Sequence, residues 1–395
     1  MAAKSILYIS GSIGLGHVYR DLSIADELRR LVPQLEVKWL ATEPATGVLE
    51  AAGETLLPEA SLYENDSTIA ENTANGVQLN LVDYALRARQ QWSQNVELYR
   101  QVIERESFDA VVADEAYEIF VAGVGDPSIR YRPSVMIYDF LGLDSKTFNP
   151  IELVGAYYLN RIWAKVPWQD LVIFVGELED IPDRSFGFLL PNRRQYAARY
   201  YHPVGYVLPF DPEQYLDTAR IRERLGYGSG PLVVCAIGGT AIGKELLELC
   251  ARAYPILRDN VPDLQMVLVC GPRLSPDSLE GIPAGVEVKG YVPALYEHFA
   301  ASDLAIVQGG STTTLELTAL RRPFIFFPLE GHFEQENVVG ERLARHQAGI
   351  RMSVSQTTPQ RLAEPVMTNM GQPVTYSPIP VDGAQKAAGL IADLL

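Results

Sequence analysis

Twice along this chain an apolar run breaks into a glycine-rich turn and resumes at once as an amphipathic helical pattern. "SILYIS" (5–10) leads into Gly11 to Gly16 and then a helix over 17–32 with Leu22, Ala25, Leu28 and Leu31 on one face. "PLVVCAIG" (231–238) leads into Gly239 to Gly243 and the helix "KELLELCARAYPIL". Such a grammar belongs to parallel sheets, whose strands are buried on both faces and need a crossover to reach the next strand. Further strands are predicted at "EVKWLAT", 109–114, 133–139 and 170–176, and in the second half at "LQMVLVCG", "VEVKGY", "DLAIVQGG" and "PFIFFPL". The fold class is therefore α/β, with two Rossmann-like, doubly wound domains binding ligand at the carboxyl ends of their strands. A length of 395 residues suits two such domains. The expected division is 1–205, 206–380 and a closing helix over 381–395, with the Pro-rich "HPVGYVLPFDPEQYLD" as the linker. The sequence does not say which half the closing helix packs on.

Three places join a strand to a Gly-rich turn and a helix: 11–17, 238–244 and 308–316. Each would present free N–H groups and the positive end of a helix dipole, both suited to a diphosphate. A formal charge of −16 excludes nucleic acid as the partner but not a small phosphorylated ligand held by backbone groups. The first loop lacks the third Gly of G-x-G-x-x-G, with Tyr19 in its place, which disfavours a dinucleotide-dependent oxidoreductase. Gly238 to Lys244 matches a P-loop, but Glu245 stands where a hydroxyl should bind Mg²⁺. Cys235, Cys250 and Cys270 form neither a disulfide framework nor a metal-ligand pair. No signal peptide and no run of roughly 20 apolar residues is found, so the expected location is cytoplasmic, with peripheral membrane contact left open.

From Tyr291 to Asn337 the chain resembles the donor-binding segment of inverting GT-B glycosyltransferases, the group of plant UDP-glycosyltransferases and the peptidoglycan-precursor N-acetylglucosaminyltransferase. That segment runs Trp-x-Pro, His-x-Gly-x-Asn-Ser-Thr-x-Glu, then a strand ending in Asp-Gln. The matching stretches here are Tyr291-Val292-Pro293, "QGGSTTTLE" and "PLEGHFEQEN". "GSIGLGHVYR" and "IGGT" are similar to the two Gly-rich loops of the peptidoglycan enzyme. The resemblance implies the GT-B fold, two Rossmann-like domains facing a cleft. It also implies that Tyr291 stacks on the base and Val292 touches it through its backbone. Gly310, Ser311, Thr312 and Thr313 would hold the diphosphate, with Gln308 beside them and Gly16, Gly239 and Thr240 reaching it from the other loops. Glu316 would accept both ribose hydroxyls, and Glu334 and Gln335 would bind the sugar. Gln308 replaces a His, Glu334 an Asp and Tyr291 a Trp. Thr313 and Glu316 also have capping-box spacing, and Tyr291 could equally be core.

Sugar transfer needs a base for the acceptor hydroxyl and a means of stabilising the leaving diphosphate. No Asp-x-Asp occurs, so helix N-termini rather than a metal are expected to do the latter, with no cofactor. His17 opens the first helix, and by the resemblance to the plant enzymes it is the base, with Asp114 as its carboxylate partner and Glu115 as an alternative. The aromatic stretch 152–168 reads by default as a helix packed in the core, and otherwise as an apolar acceptor groove or a membrane-facing surface. The expected activity is metal-independent, inverting transfer of a hexose or N-acetylhexosamine from a UDP-type nucleotide sugar to a small-molecule or lipid-linked acceptor. A nucleotide-sugar epimerase and a non-catalytic nucleotide-sugar-binding subunit are the alternatives.

Overall fold

The computed structural model describes residues 3–10, 15–63, 74–75, 78–79, 81–144, 150–239, 242–330 and 334–395, with backbone alone at 74–75, 78–79, 81–90, 151–152 and 334. Contacts divide the chain into two compact units, one of 1–75, 79–209 and 380–395, the other of 76–78 and 210–379.

The first unit is built on seven strands: β1 (Ser5–Ile9), β2 (Glu36–Leu40), β3 (Thr55–Leu56), β4 (Ala110–Asp114), β5 (Ser134–Tyr138), β6 (Leu171–Val175) and β7 (His202–Gly205). All pair in parallel in the order β3-β2-β1-β4-β5-β6-β7, with Ile6 opposite Ala110 and Ile9 opposite Ala113. The second unit has β8 (Leu232–Ala236), β9 (Gln265–Val269), β10 (Val286–Lys289), β11 (Leu304–Gln308), β12 (Phe324–Phe327) and β13 (Ile350–Arg351). These too are all parallel, in the order β10-β9-β8-β11-β12-β13. Every residue of β4, β5, β6, β8 and β11 is buried, which is why these strands read as unbroken apolar runs.

The helices that bear on the sites and surfaces below are α1 (Leu15–Leu31), α2 (Pro150–Trp163) and α6 (Gly383–Ala392) in the first unit, and α3 (Lys244–Asn260), α4 (Ser311–Ala319) and α5 (Gly340–Arg345) in the second. The closing helix α6 belongs to the first unit, where its small residues Ala384, Ala387 and Ala388 pack in one cluster with Ile24, Ala25 and Leu28 of α1. Its start permits only glycine, since a Cβ on Gly383 would come within 2.6 Å of the Tyr206 carbonyl.

Two expectations are revised. His202–Gly205, read as linker, is the edge strand β7, where Pro203 is tolerated because its missing N–H lies at the sheet margin. α2, read by default as a core helix, leaves Leu153, Val154, Tyr157 and Tyr158 exposed.

In each sheet the strand order reverses once, between β1 and β4 and between β8 and β11. Crossovers leave in opposite directions on either side of such a point, opening a crevice at the carboxyl ends of the two strands. Gly16 at the start of α1, Gly239 after β8, and Gly309 and Gly310 after β11 lie at these points.

Candidate active site

In the second unit, β11 ends at Gln308 and α4 begins at Ser311, with Gly309 and Gly310 between them. Gly309 is required by packing, because a Cβ there would lie 2.8 Å from the Cα of Pro328. Gly310 is the N-cap of α4 and offers no side-chain cap. The first-turn N–H groups of Ser311, Thr312 and Thr313 therefore have neither an intrahelical nor a capping partner, and all three residues are only partly buried. Thr313 lies inside the helix, so the capping-box reading of Thr313 and Glu316 fails.

Glu316 sits in the second turn of α4, 8% exposed. Burial pushes its carboxyl up to about 8. No described residue donates a hydrogen bond to it or pairs with its charge. A buried carboxyl without a partner costs stability and is retained where something else supplies the donors.

The loops around α4 are tied to one another. The Gln308 side-chain amide donates to the Ile242 carbonyl at 2.8 Å, pinning the turn after β8 to the end of β11. Gly243 takes φ 125° there, and a Cβ would strike Ile237 at 2.6 Å and Gln308 Nε2 at 2.8 Å. Lys244 pairs with Glu248 at 3.4 Å and Glu280 at 3.5 Å, so the Gly-Lys of the P-loop pattern has a structural explanation. The Gln335 side chain accepts from the Leu329 N–H at 3.0 Å. Gln335 lies in the π-helical turn Glu334–Val339, a distortion often found at functional sites. Tyr291 follows β10 and is 43% exposed, which removes the core reading. Val292 packs against the core beside it. Gly239 is half-buried after β8. Tyr291, Gly239 and the start of α4 all follow carboxyl ends of parallel strands and thus share one edge of the sheet. Thr240 and the Glu334 side chain lie outside the described residues.

One cation was missed from sequence. Arg342 of α5 is buried, and its Nη2 donates to the Ser311 carbonyl at 3.2 Å and hydroxyl at 3.1 Å. It places a buried guanidinium behind the uncapped end of α4.

In the first unit, Gly16 and His17 lie in the first turn of α1, while Gly11 to Gly14 are outside the described residues. His17 Nδ1 is 3.5 Å from Asp114 Oδ1 and Nε2 is 3.8 Å from Glu115 Oε2. Both carboxylates follow from β4, beside β1 at the reversal point. Asp114 is bound first of all by Arg20, which sequence reasoning also missed. Arg20 donates to Asp114 through Nε at 2.6 Å and Nη2 at 2.5 Å, to Asp139 through Nη1 at 2.6 Å, and to His17 Nδ1 at 2.8 Å. A guanidinium only donates, so Nδ1 accepts and the neutral imidazole carries its proton on Nε2.

Burial pushes Asp114 up, but the charges of Arg20 and His17 overcome it and hold Asp114 well below the usual carboxylate range. Asp139 is likewise lowered, its burial outweighed by Arg20. Burial and the neighbouring Asp114 raise Asp21, which accepts from Tyr8 at 3.0 Å and Ser10 at 2.6 Å. Burial and Asp139 raise Glu115, held at φ 48°. Arg20 thus faces Asp114 and Asp139, the two carboxyls held low, while Asp21 and Glu115 beside them are pushed toward the protonated form.

Comparison with known proteins agrees with this architecture. Residues 233–378 match the Glycosyltransferase family 28 C-terminal domain. An uncharacterized glycosyltransferase of Methanosarcina acetivorans is 32% identical over 341 residues, 85% of this chain and 82% of its own. The UDP-N-acetylglucosamine–N-acetylmuramyl-(pentapeptide) pyrophosphoryl-undecaprenol N-acetylglucosamine transferase of Rhodopseudomonas palustris is 24% identical over 181 residues, 42% of this chain and 48% of its own. Among solved structures, the glycotransferase of kitacinnamycin shares the fold at a TM-score of 0.61 and 16% identity, covering 100% of this chain and 95% of that one. The chain belongs to the GT-B glycosyltransferases and is an enzyme of sugar transfer.

Proposed function

We propose that this enzyme transfers a hexose or N-acetylhexosamine, with inversion and without a metal, from a UDP-type nucleotide sugar to a hydroxyl acceptor. The observation that carries the donor assignment is Glu316, a buried carboxyl with no described partner beside an uncapped helix start. A carboxylate offers paired acceptors to a ribose diol, and the α4 N-terminus with Arg342 behind it offers donors and positive charge to a diphosphate. Tyr291 supplies a ring for the base. The name of the Rhodopseudomonas relative gives UDP-N-acetylglucosamine as that protein's donor, which supports the choice of uridine and of an N-acetylhexosamine.

In the reaction the acceptor oxygen bonds to the anomeric carbon as the bond from that carbon to the diphosphate breaks. The leaving diphosphate takes the electron pair and is stabilised at α4, in the role a metal would otherwise fill. The hydroxyl proton goes to His17. That step requires the imidazole to exchange tautomer through solvent: Nε2 gives up its proton and Nδ1 takes one as Arg20 releases it, so that Nδ1 donates to Asp114 and the Nε2 lone pair is left for the acceptor. Arg20 keeps Asp114 and Asp139 throughout, so only one of its contacts is exchanged. The Asp114 carboxylate beside the ring stabilises the imidazolium that forms.

Calorimetry with UDP-, GDP- and dTDP-sugars and with a 2′-deoxy-UDP-sugar tests the donor reading. The UDP-sugar should bind best and the 2′-deoxy analogue about 10- to 150-fold more weakly, the value of a hydrogen bond to a charged group. Glu316→Ala should erase that discrimination. Equal binding of both analogues by wild type would remove the ribose role, and preference for a GDP- or dTDP-sugar would overturn the base.

A further inference from the structure

Of the large apolar side chains exposed in this chain, a group gathers on one face of the first unit. Leu153, Val154, Tyr157 and Tyr158 line the outer side of α2, and Phe188 and Leu189, 79% and 87% exposed, stand at the tip of the loop 185–190. Helix and loop form a single face, because the Tyr157 hydroxyl donates to the Phe188 carbonyl at 3.2 Å and its ring packs over Gly187.

The tip is built rather than loose. The Ser185 hydroxyl accepts from the Gly187 N–H at 3.0 Å and donates to the Leu190 carbonyl at 2.8 Å, and the Leu190 N–H returns to Gly187 at 3.0 Å. Leu189 is held at φ 59°, a conformation that a bulky residue rarely adopts. The turn spends this strain on presenting two large apolar side chains to water, which folding alone does not reward.

The charge around the face is distinct from that of the whole chain. The stretches 153–168 and 184–201 contain six Lys and Arg and no Asp or Glu, in a chain of formal charge −16. Asp144 pairs with Arg184 and the buried Arg193, and Asp183 with Arg194 at 3.8 Å, which leaves Arg161, Lys165 and Arg199 as the cations of the face. Arg161 continues the Val154–Tyr158 stripe at helical spacing and Lys165 follows two residues after the helix; both are exposed and form no ion pair with any described residue.

We propose that this face docks on an anionic lipid bilayer. A Phe-Leu tip and tyrosines beside cations that are unpaired among the described residues match the boundary between acyl chains and acidic headgroups. The tip projects, so it is not a pocket for a small ligand. A second copy fits poorly, because a two-fold contact would press one cationic face against its duplicate. No helix among the described residues is long and apolar enough to cross a membrane, so the contact is peripheral. The inference is independent of the sugar chemistry, and its test reads no activity.

The test is co-sedimentation of the full-length protein with vesicles of phosphatidylcholine alone and of equal parts phosphatidylcholine and phosphatidylglycerol. Wild type should sediment with the mixed vesicles, less with the neutral ones, and less as salt is raised. Phe188→Asp with Leu189→Asp should weaken partitioning at least ~10-fold, by withdrawing two large apolar side chains from the lipid. Arg161→Ala with Lys165→Ala should cost about 30-fold on the mixed vesicles only, at about 1 kcal/mol per cation. Circular dichroism melts should match wild type, since all four positions are exposed. Absence of binding to both vesicles, or a tip variant that binds like wild type, would overturn the proposal. Equal binding to the two compositions would overturn its anionic part. A wild-type dimer in light scattering that the tip variant turns into a monomer would assign the face to a second copy instead.

Discussion

Donor binding should be coupled to the release of a proton from Glu316. The free carboxyl, raised to about 8 by burial, is largely protonated at neutral pH. It must ionise to accept from both ribose hydroxyls. Affinity is therefore full above pH 8 and falls as pH drops below it. Binding only to the ionised form weakens the apparent affinity by a factor of one plus ten to the power of pKa minus pH. That factor is about 100 at pH 6 and about 10 at pH 7, relative to the high-pH limit. A UDP-sugar is the right probe, because its diphosphate is esterified at both ends and does not titrate in this range. Calorimetry at pH 7 in buffers of different ionisation enthalpy should show about 0.9 proton released per ligand bound. Glu316→Gln should bind more weakly at pH 9 and show neither the pH slope nor the proton release. A wild type whose affinity is flat from pH 6 to pH 9 would refute the assignment of the ribose to an ionised Glu316.

The same carboxyl should cost the ligand-free protein stability. Its pKa rises from the ordinary Glu value to about 8 on folding, so the unfolding free energy should fall as pH climbs through that interval and level off above it. Glu316→Gln should therefore melt higher than wild type at pH 8, by about 2–4 °C per kcal/mol recovered, and close to it at pH 4; equal melting at pH 8 would mean that the carboxyl is solvated. Transfer or donor hydrolysis should persist in excess EDTA, and complete loss restored by Mg²⁺ or Mn²⁺ would replace the helix-terminus account of the leaving group with a metal.

Most of the scaffold was legible because strands buried on both faces have little freedom in composition. "AVVAD", "LVVCA" and "LAIVQ" could hardly be anything else when each is followed by a turn and a helix. β7 escaped because it is short, carries Pro203 and Gly205, and owes its existence to pairing with β6. The place of α6 escaped because its stripe of small residues would suit many surfaces; Tyr206 and α1 decide it. The local signal misled at Thr313 and Glu316, where cap-like spacing falls inside a helix whose cap is Gly310. Both missed arginines did leave a trace. Arg20 and Asp21 stand one turn before Ile24, Ala25 and Leu28, and Arg342 sits among Val338, Val339 and Leu343, so each is a charge at a position the helical period assigns to the core. A charge at such a position announces a buried partner, though the sequence cannot name Asp114 or Ser311 as that partner.

Arg20 makes the catalytic reading of His17 sharper than a simple His–Asp pair would. If Asp114 alone oriented His17, Nδ1 would carry the proton and Nε2 would be ready as a base. Here Arg20 lies 2.8 Å from Nδ1 and donates to both oxygens of Asp114, so the resting imidazole has the opposite tautomer. His17→Ala should lower kcat at least ~100-fold, the smaller end of a lost general base, with donor affinity unchanged because the proposed nucleotide contacts that affinity depends on lie mainly in the second unit. Arg20→Gln removes the cation beside the ring while keeping an amide that can donate to Asp114. Two carboxylates would then face His17 with no competing positive charge, and an imidazolium would form more readily. The acidic side of the kcat/KM profile should therefore move to higher pH, together with a fall in kcat, whereas Arg20→Lys, which keeps the charge but not the fork, should lower kcat without moving the profile. If Arg20 serves only to hold the fold, both variants should lose activity in proportion to lost stability with the pH profile in place, and the tautomer exchange would have to be abandoned.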